Sequence, residues 1–138
     1  MAQVWFRHLA HACRDIAKTR RFYEQVLGFT LVEARESSNA ALGKLLRMDP
    51  PAHLDLVFLK KDGLVLELLG FRPHPTTPRQ DFNVYQEGLD YLSLGVEDVS
   101  AILAAVSKYG GTVLEDTVSG RSACVKDPDG QVIELVGR

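Results

Sequence analysis

Apolar residues follow two different periods along this chain, and the period changes at polar and glycine positions. From 16 to 27, "IAKTRRFYEQVL" places Ile16, Thr19, Phe22, Tyr23, Val26 and Leu27 on one face of a helix. Asp15 precedes that run as an N-cap, and Gly28 follows it where a helix ends in a left-handed glycine. The flanking stretches read as strands, "VWFRHLAHAC" (4–13) before the helix and the alternating "FTLVEAR" (29–35) after it. An irregular stretch, 36–53, holds a short helical run around 42–46. Two more strands, "HLDLVFLK" (53–60) and "LVLELLGF" (64–71), are joined by the turn Lys61-Asp62-Gly63, and a proline-rich connector covers 72–83.

The same order then returns. "LDYLSLGV" (89–96) reads as a strand and Asp98 as an N-cap. "VSAILAAVSKY" (99–109) reads as a helix stopped by Gly110-Gly111, and 112–116, 121–126 and 131–136 as three strands. The last two are linked by Asp127-Pro128-Asp129-Gly130, in which Asp-Gly signals a tight hairpin. His8 lies seven residues before Asp15, and Tyr91 seven before Asp98. Glu67 and Glu134 each sit in the last strand of a half. The expected fold is therefore α+β: two βαβββ modules, about 1–72 and 88–138 with a linker over 73–87, within one domain of residues 1–138. Their sheets join into a cup-shaped mixed sheet with the helices outside. The 36–53 stretch reads either as a lid on the cup or as a surface excursion.

Composition adds exclusions. The 138 residues are 46% hydrophobic and 25% charged, ordinary for a globular domain with its own core, and the net charge is −2 with acids and bases interleaved. No basic patch points to nucleic acid, and no apolar run reaches membrane-spanning length. The first residues lack the charged start and apolar centre of a signal peptide, and Cys13 and Cys124 have no metal-type spacing. A cytoplasmic protein with reduced core thiols is expected, with a small molecule as its partner.

The candidate chemistry starts from Glu134. In "QVIELV", Ile133 and Leu135 share one strand face, while Val132, Glu134 and Val136 share the other. A carboxylate between two valines sits either at an edge or in a cavity, where it needs a partner. By position in the repeat, His8, Glu67, Tyr91 and Glu134 are equivalent. Two buried carboxylates are costly without a cation between them, and a divalent metal held by His8, Glu67 and Glu134 removes that cost.

The segment "HLAHACRDIAKTRRFYEQVLGF" (8–29) resembles the opening of the vicinal oxygen chelate superfamily, which includes glyoxalase I, methylmalonyl-CoA epimerase, extradiol dioxygenases and the fosfomycin and bleomycin resistance proteins. His8, Asp15, Phe22-Tyr23, Leu27-Gly28-Phe29 and the closing "DPDGQVIEL" carry the resemblance, which spans nearly the whole chain. It implies that His8, Glu67 and Glu134 are metal ligands. It also implies a lyase or isomerase of the glyoxalase I or epimerase kind, moving a proton next to a carbonyl of a small carbonyl or thioester substrate. Glu67 and Glu134 are then the proton-transfer candidates, with Tyr91 as a proton donor or substrate hydrogen-bonder. The metal is manganese, nickel, zinc or magnesium. A homodimer is implied in the same way, with Trp5 as core or dimer contact. One departure stands out: the family's usual second histidine is Tyr91 here, in "YLSLGV", and a neutral phenol is a weak ligand. That ranks the dioxygenase reaction low and leaves an alternative, a metal-free binder of small molecules like the bleomycin resistance proteins. His11 reads as a core histidine, His53 and His74 as solvated loop-edge histidines, and Arg121 as a surface residue.

Overall fold

A computed structural model describes all 138 residues. The chain divides into two compact units, residues 1–20 with 28–76, and residues 21–27 with 77–138. Each contains a four-stranded sheet of the same design.

In the first unit the elements are β1 (Leu9–Ala12), α1 (Ile16–Gln25, whose second half belongs to the other unit), β2 (Thr30–Ser37), α2 (Ala40–Leu45), β3 (His53–Lys61) and β4 (Leu64–Arg72). The strand order is β1-β4-β3-β2, with β1 parallel to β4 and the other neighbours antiparallel. In the second unit β5 (Tyr91–Val96), α3 (Val99–Val106), β6 (Thr112–Leu114), β7 (Ser122–Lys126) and β8 (Val132–Gly137) give the order β5-β8-β7-β6, with β5 parallel to β8. The βαβββ repeat and the α+β class are both present. No helix is long and apolar enough to cross a membrane.

Local signals set most boundaries. The Asp15 carboxylate accepts from the Lys18 amide at 3.1 Å, and that of Asp98 from the Ala101 amide at 3.1 Å. Each satisfies an amide that the first helical turn leaves without a partner. Gly28 follows α1 with φ +70, where a side chain would be strained. The expected first strand shortens, however, from 4–13 to Leu9–Ala12. Leu9 pairs with Leu66 and β4 begins at Leu64, so the partner strand runs out before residue 6 can pair. Val4, Trp5 and Phe6 are left exposed.

The turn between β7 and β8 is organised around a buried carboxylate. Asp127 is 3% exposed. Its Oδ1 accepts from the Asp129 and Gln131 amides at 2.8 and 2.9 Å, and its Oδ2 accepts from the Tyr23 hydroxyl at 2.9 Å. A buried carboxylate is tolerated because these donors replace water. Gly130, with φ +88, closes the turn, and the Asp127 amide reaches the Gln131 carbonyl at 2.9 Å. Tyr23 brings residues 21–27 into this unit, and Phe22 beside it is fully buried.

Gly111 shows how tightly the second core closes. A Cβ added there would lie 2.5 Å from Phe22 Cε2 and 2.7 Å from the Lys126 carbonyl oxygen. Gly111→Ala is expected to lower unfolding free energy by about 1–3 kcal/mol in urea denaturation. Gly95→Ala, where nothing lies within 4 Å of the added carbon, should change it by less than about 0.5 kcal/mol. Equal effects would contradict this account of the core.

Candidate functional site

Strand pairing fixes what surrounds each glutamate. In the first sheet Glu67 on β4 lies opposite Ala10 of β1 and Phe58 of β3. In the second, Glu134 on β8 lies opposite Ser93 of β5 and Cys124 of β7. The residue two before the β1 or β5 partner is His8 in one case and Tyr91 in the other. The equivalence read from the repeat therefore holds at the level of register.

In the first unit the His8 Nε2 and Glu67 Oε1 atoms are 3.6 Å apart, with the side chains 26% and 13% exposed. Phe58 meets the His8 ring edge-on, with centroids 5.6 Å apart. The face that carries Glu67 continues through Leu69, Leu56 and Leu54, an apolar cluster against which Leu42 of α2 and Met48 pack. The 36–53 stretch thus lies against the face carrying Glu67, over its apolar end.

In the second unit the Ser93 hydroxyl donates to Glu134 Oε1 at 2.6 Å, which orients that carboxylate. Cys124, one strand over on the same face, has its thiol pushed up by burial first, then by the charges of Glu134 and Asp116. Neither cysteine is in a disulfide. Tyr91 is 48% exposed, and its ring meets Phe82 of the linker edge-on at 6.4 Å between centroids. The structure brings His8 to Glu67 in one unit, and sets Tyr91 and Glu134 on one face of the other.

The donor chemistry suits a divalent cation. Imidazole nitrogen and carboxylate oxygen bind such ions at about 2.0–2.2 Å, so two donors sharing one ion stand roughly 3–3.5 Å apart. The His8–Glu67 separation of 3.6 Å is close to that span.

Sequence reasoning missed the surroundings of His53. It is not a solvated loop residue. It opens β3, its Nδ1 lies 2.8 Å from Ser38 Oγ, and its Nε2 lies 2.6 Å from Arg72 Nη2. Arg72 also donates to both oxygens of Asp55, at 2.8 and 3.2 Å, and to Glu36 at 3.2 Å. These bonds, the one to Asp55 foremost, push the guanidinium pKa up. His74, likewise read as solvated, has Nε2 2.8 Å from the Asp49 carbonyl oxygen. His11 is half-buried in β1, and Arg121 is exposed as expected.

Comparison with known proteins bears on this geometry. Residues 5–135 match the family described as the Glyoxalase/Bleomycin resistance protein/Dioxygenase superfamily. A lactoylglutathione lyase of Pseudomonas putida is 32% identical, over 98% of this chain and 86% of that protein. A glyoxalase family protein of Bacillus cereus has the same fold, with a TM-score of 0.83 at 14% identity over 99% of this chain and 95% of that one. The trypanothione-dependent glyoxalase I of Leishmania major gives a TM-score of 0.67 at 26% identity, over 94% of this chain and 84% of that one.

Glu134 and Cys124 are coupled by charge, which can be read from the thiol. In Glu134→Gln the pH profile of Cys124 alkylation should move to lower pH, because one of the charges opposing the thiolate is gone. Cys13, 1% exposed, should stay unreactive in both proteins. An unmoved profile would contradict the placement of Glu134 beside the thiol.

Proposed function

The chain belongs to the Glyoxalase/Bleomycin resistance protein/Dioxygenase superfamily, and we propose that within it this protein is a metal-dependent lyase or isomerase of the glyoxalase I kind. Its ligands are His8, Glu67 and Glu134. Its substrate is a small carbonyl or thioester compound that presents two neighbouring oxygens. The observation that carries the reading is the half-buried His8–Glu67 donor pair, 3.6 Å apart, together with a second glutamate at the equivalent register position of the other sheet. The 32% identity to a lactoylglutathione lyase supports the reaction class.

A divalent cation, once bound, supplies Lewis-acid stabilisation of negative charge developing on the substrate oxygens. The remaining work falls to side chains. One carboxylate removes the carbon-bound proton beside the carbonyl and returns it to the former carbonyl carbon, while the hydroxyl proton of the first carbon passes to the former carbonyl oxygen, so the reaction is an internal redox isomerisation that needs no external oxidant or reductant. Ser93 holds Glu134 through Oε1, leaving Oε2 for this role. Glu67 stands against imidazole and Phe58. Tyr91 offers a hydroxyl to the substrate. The protein acts as a cytoplasmic homodimer, a state that the family resemblance supports.

One observation favours a second reading. Tyr91 stands where the repeat places the counterpart of His8, and it packs on Phe82. A tyrosine–phenylalanine wall suits a flat apolar ligand, as in a metal-free binding protein.

The deciding assay follows S-lactoylglutathione formation from methylglyoxal and glutathione with added nickel, zinc, manganese or magnesium. The wild type should turn over with at least one of these metals. Glu67→Gln and Glu134→Gln should each lower kcat/KM by about a hundredfold or more. Turnover unchanged in both variants would overturn the assignment, and no turnover with any metal would favour the binding protein.

A further inference from the structure

A cavity of about 770 Å³ opens at one end of the first sheet, away from the His8–Glu67 pair. α2, the segment that follows it, the start of β3 and the end of β4 form its wall. His53 and Arg72 lie on the face opposite Glu67, because Arg72 is five residues along β4 and side chains alternate. Most of the exposed wall is apolar, with Met48, Pro50, Pro51 and Pro73 contributing. Ligand sites are commonly of this size, mainly apolar, with a few converging polar groups.

Two of the polar groups that line it, beside Ser38 and His53, are cationic. Lys44 and Arg72 both line the cavity, while Asp55 and Glu36, the carboxylates bound to Arg72, do not. Those carboxylates and His53 engage the guanidinium through Nε and Nη2, leaving Nη1 uncommitted. His53 also holds that guanidinium, with Nε2 2.6 Å from Arg72 Nη2 and Nδ1 2.8 Å from Ser38 Oγ. The cavity thus presents a fixed guanidinium edge and a lysine within an otherwise mainly apolar wall.

We propose that this cavity is a second binding site, for a small amphipathic monoanion: a carboxylate on an aliphatic or aryl body. The anionic head lies between Lys44 Nζ and Arg72 Nη1, and the body lies on Met48 and the Pro50-Pro51 pair. Met48 also packs on the Leu54–Leu56–Leu69 cluster beside Glu67. Occupancy therefore stiffens the segment that covers that face, without touching the donor pair itself.

Octanoate is a suitable probe. Calorimetric titration should give saturable binding at one site per chain, and amide shift changes should concentrate at residues 38–53 and 72–73. Octanol, with the same body and no charge, should bind about tenfold more weakly or worse, and so should octanoate to Lys44→Glu. Lys44 is exposed on α2, so circular dichroism of the variant should match the wild type. Absence of saturable binding would overturn the proposal. So would octanol binding as tightly as octanoate, or shift changes centred on His8 and Glu67. None of these readouts involves metal or turnover, so the result stands apart from the assigned reaction.

Discussion

In each sheet the last strand of the module inserts beside the first, parallel to it, and the third strand closes on its other side. β4 and β8 are therefore interior strands, and a glutamate on either is flanked on both sides by neighbouring side chains at fixed register. Each carboxylate thus has two cross-strand neighbours, Ala10 and Phe58 for Glu67 and Ser93 and Cys124 for Glu134. A one-residue slip of either strand would turn its glutamate to the opposite face and destroy the arrangement.

The repeat is symmetric in backbone and asymmetric in chemistry. One glutamate faces an imidazole and an aromatic ring, while the other accepts a short hydrogen bond from a serine and stands beside a thiol. Where the first unit has His8 the second has Tyr91, turned against Phe82. Such divergence gives the two halves of a duplicated scaffold different side-chain surroundings on the same backbone plan. The α2 segment adds a further difference. It exists only in the first module, and it packs on the apolar end of the face carrying Glu67.

Much of this was legible because it is local. Alternation in "LVLELLGF", the helical stripe from Ile16 to Leu27, the caps at Asp15 and Asp98 and the Asp-Gly turn all act over a few residues, and each appears where its pattern points. The equivalence of His8 and Tyr91 was legible through equal spacing from equivalent caps, and that of Glu67 and Glu134 through their place in the last strand of each half. Contacts between distant residues were not legible. Nothing near Asp127 indicates that Tyr23, over a hundred positions earlier, donates to its buried carboxylate. His53 looked solvated because Arg72, Asp55 and Glu36 meet it only once three strands are paired. Residues 4–6 carry a strand-like pattern and stay outside the strand, because β4 begins only at Leu64.

The central claim is that the two glutamates and His8 hold a divalent cation despite the tyrosine at position 91. It is tested most directly by elemental mass spectrometry of the purified, untagged protein after reconstitution with manganese, nickel and zinc. The account predicts close to one metal ion per site in the wild type, and its loss in His8→Ala with the fold intact by circular dichroism. Metal-free wild type under all three conditions would contradict the account.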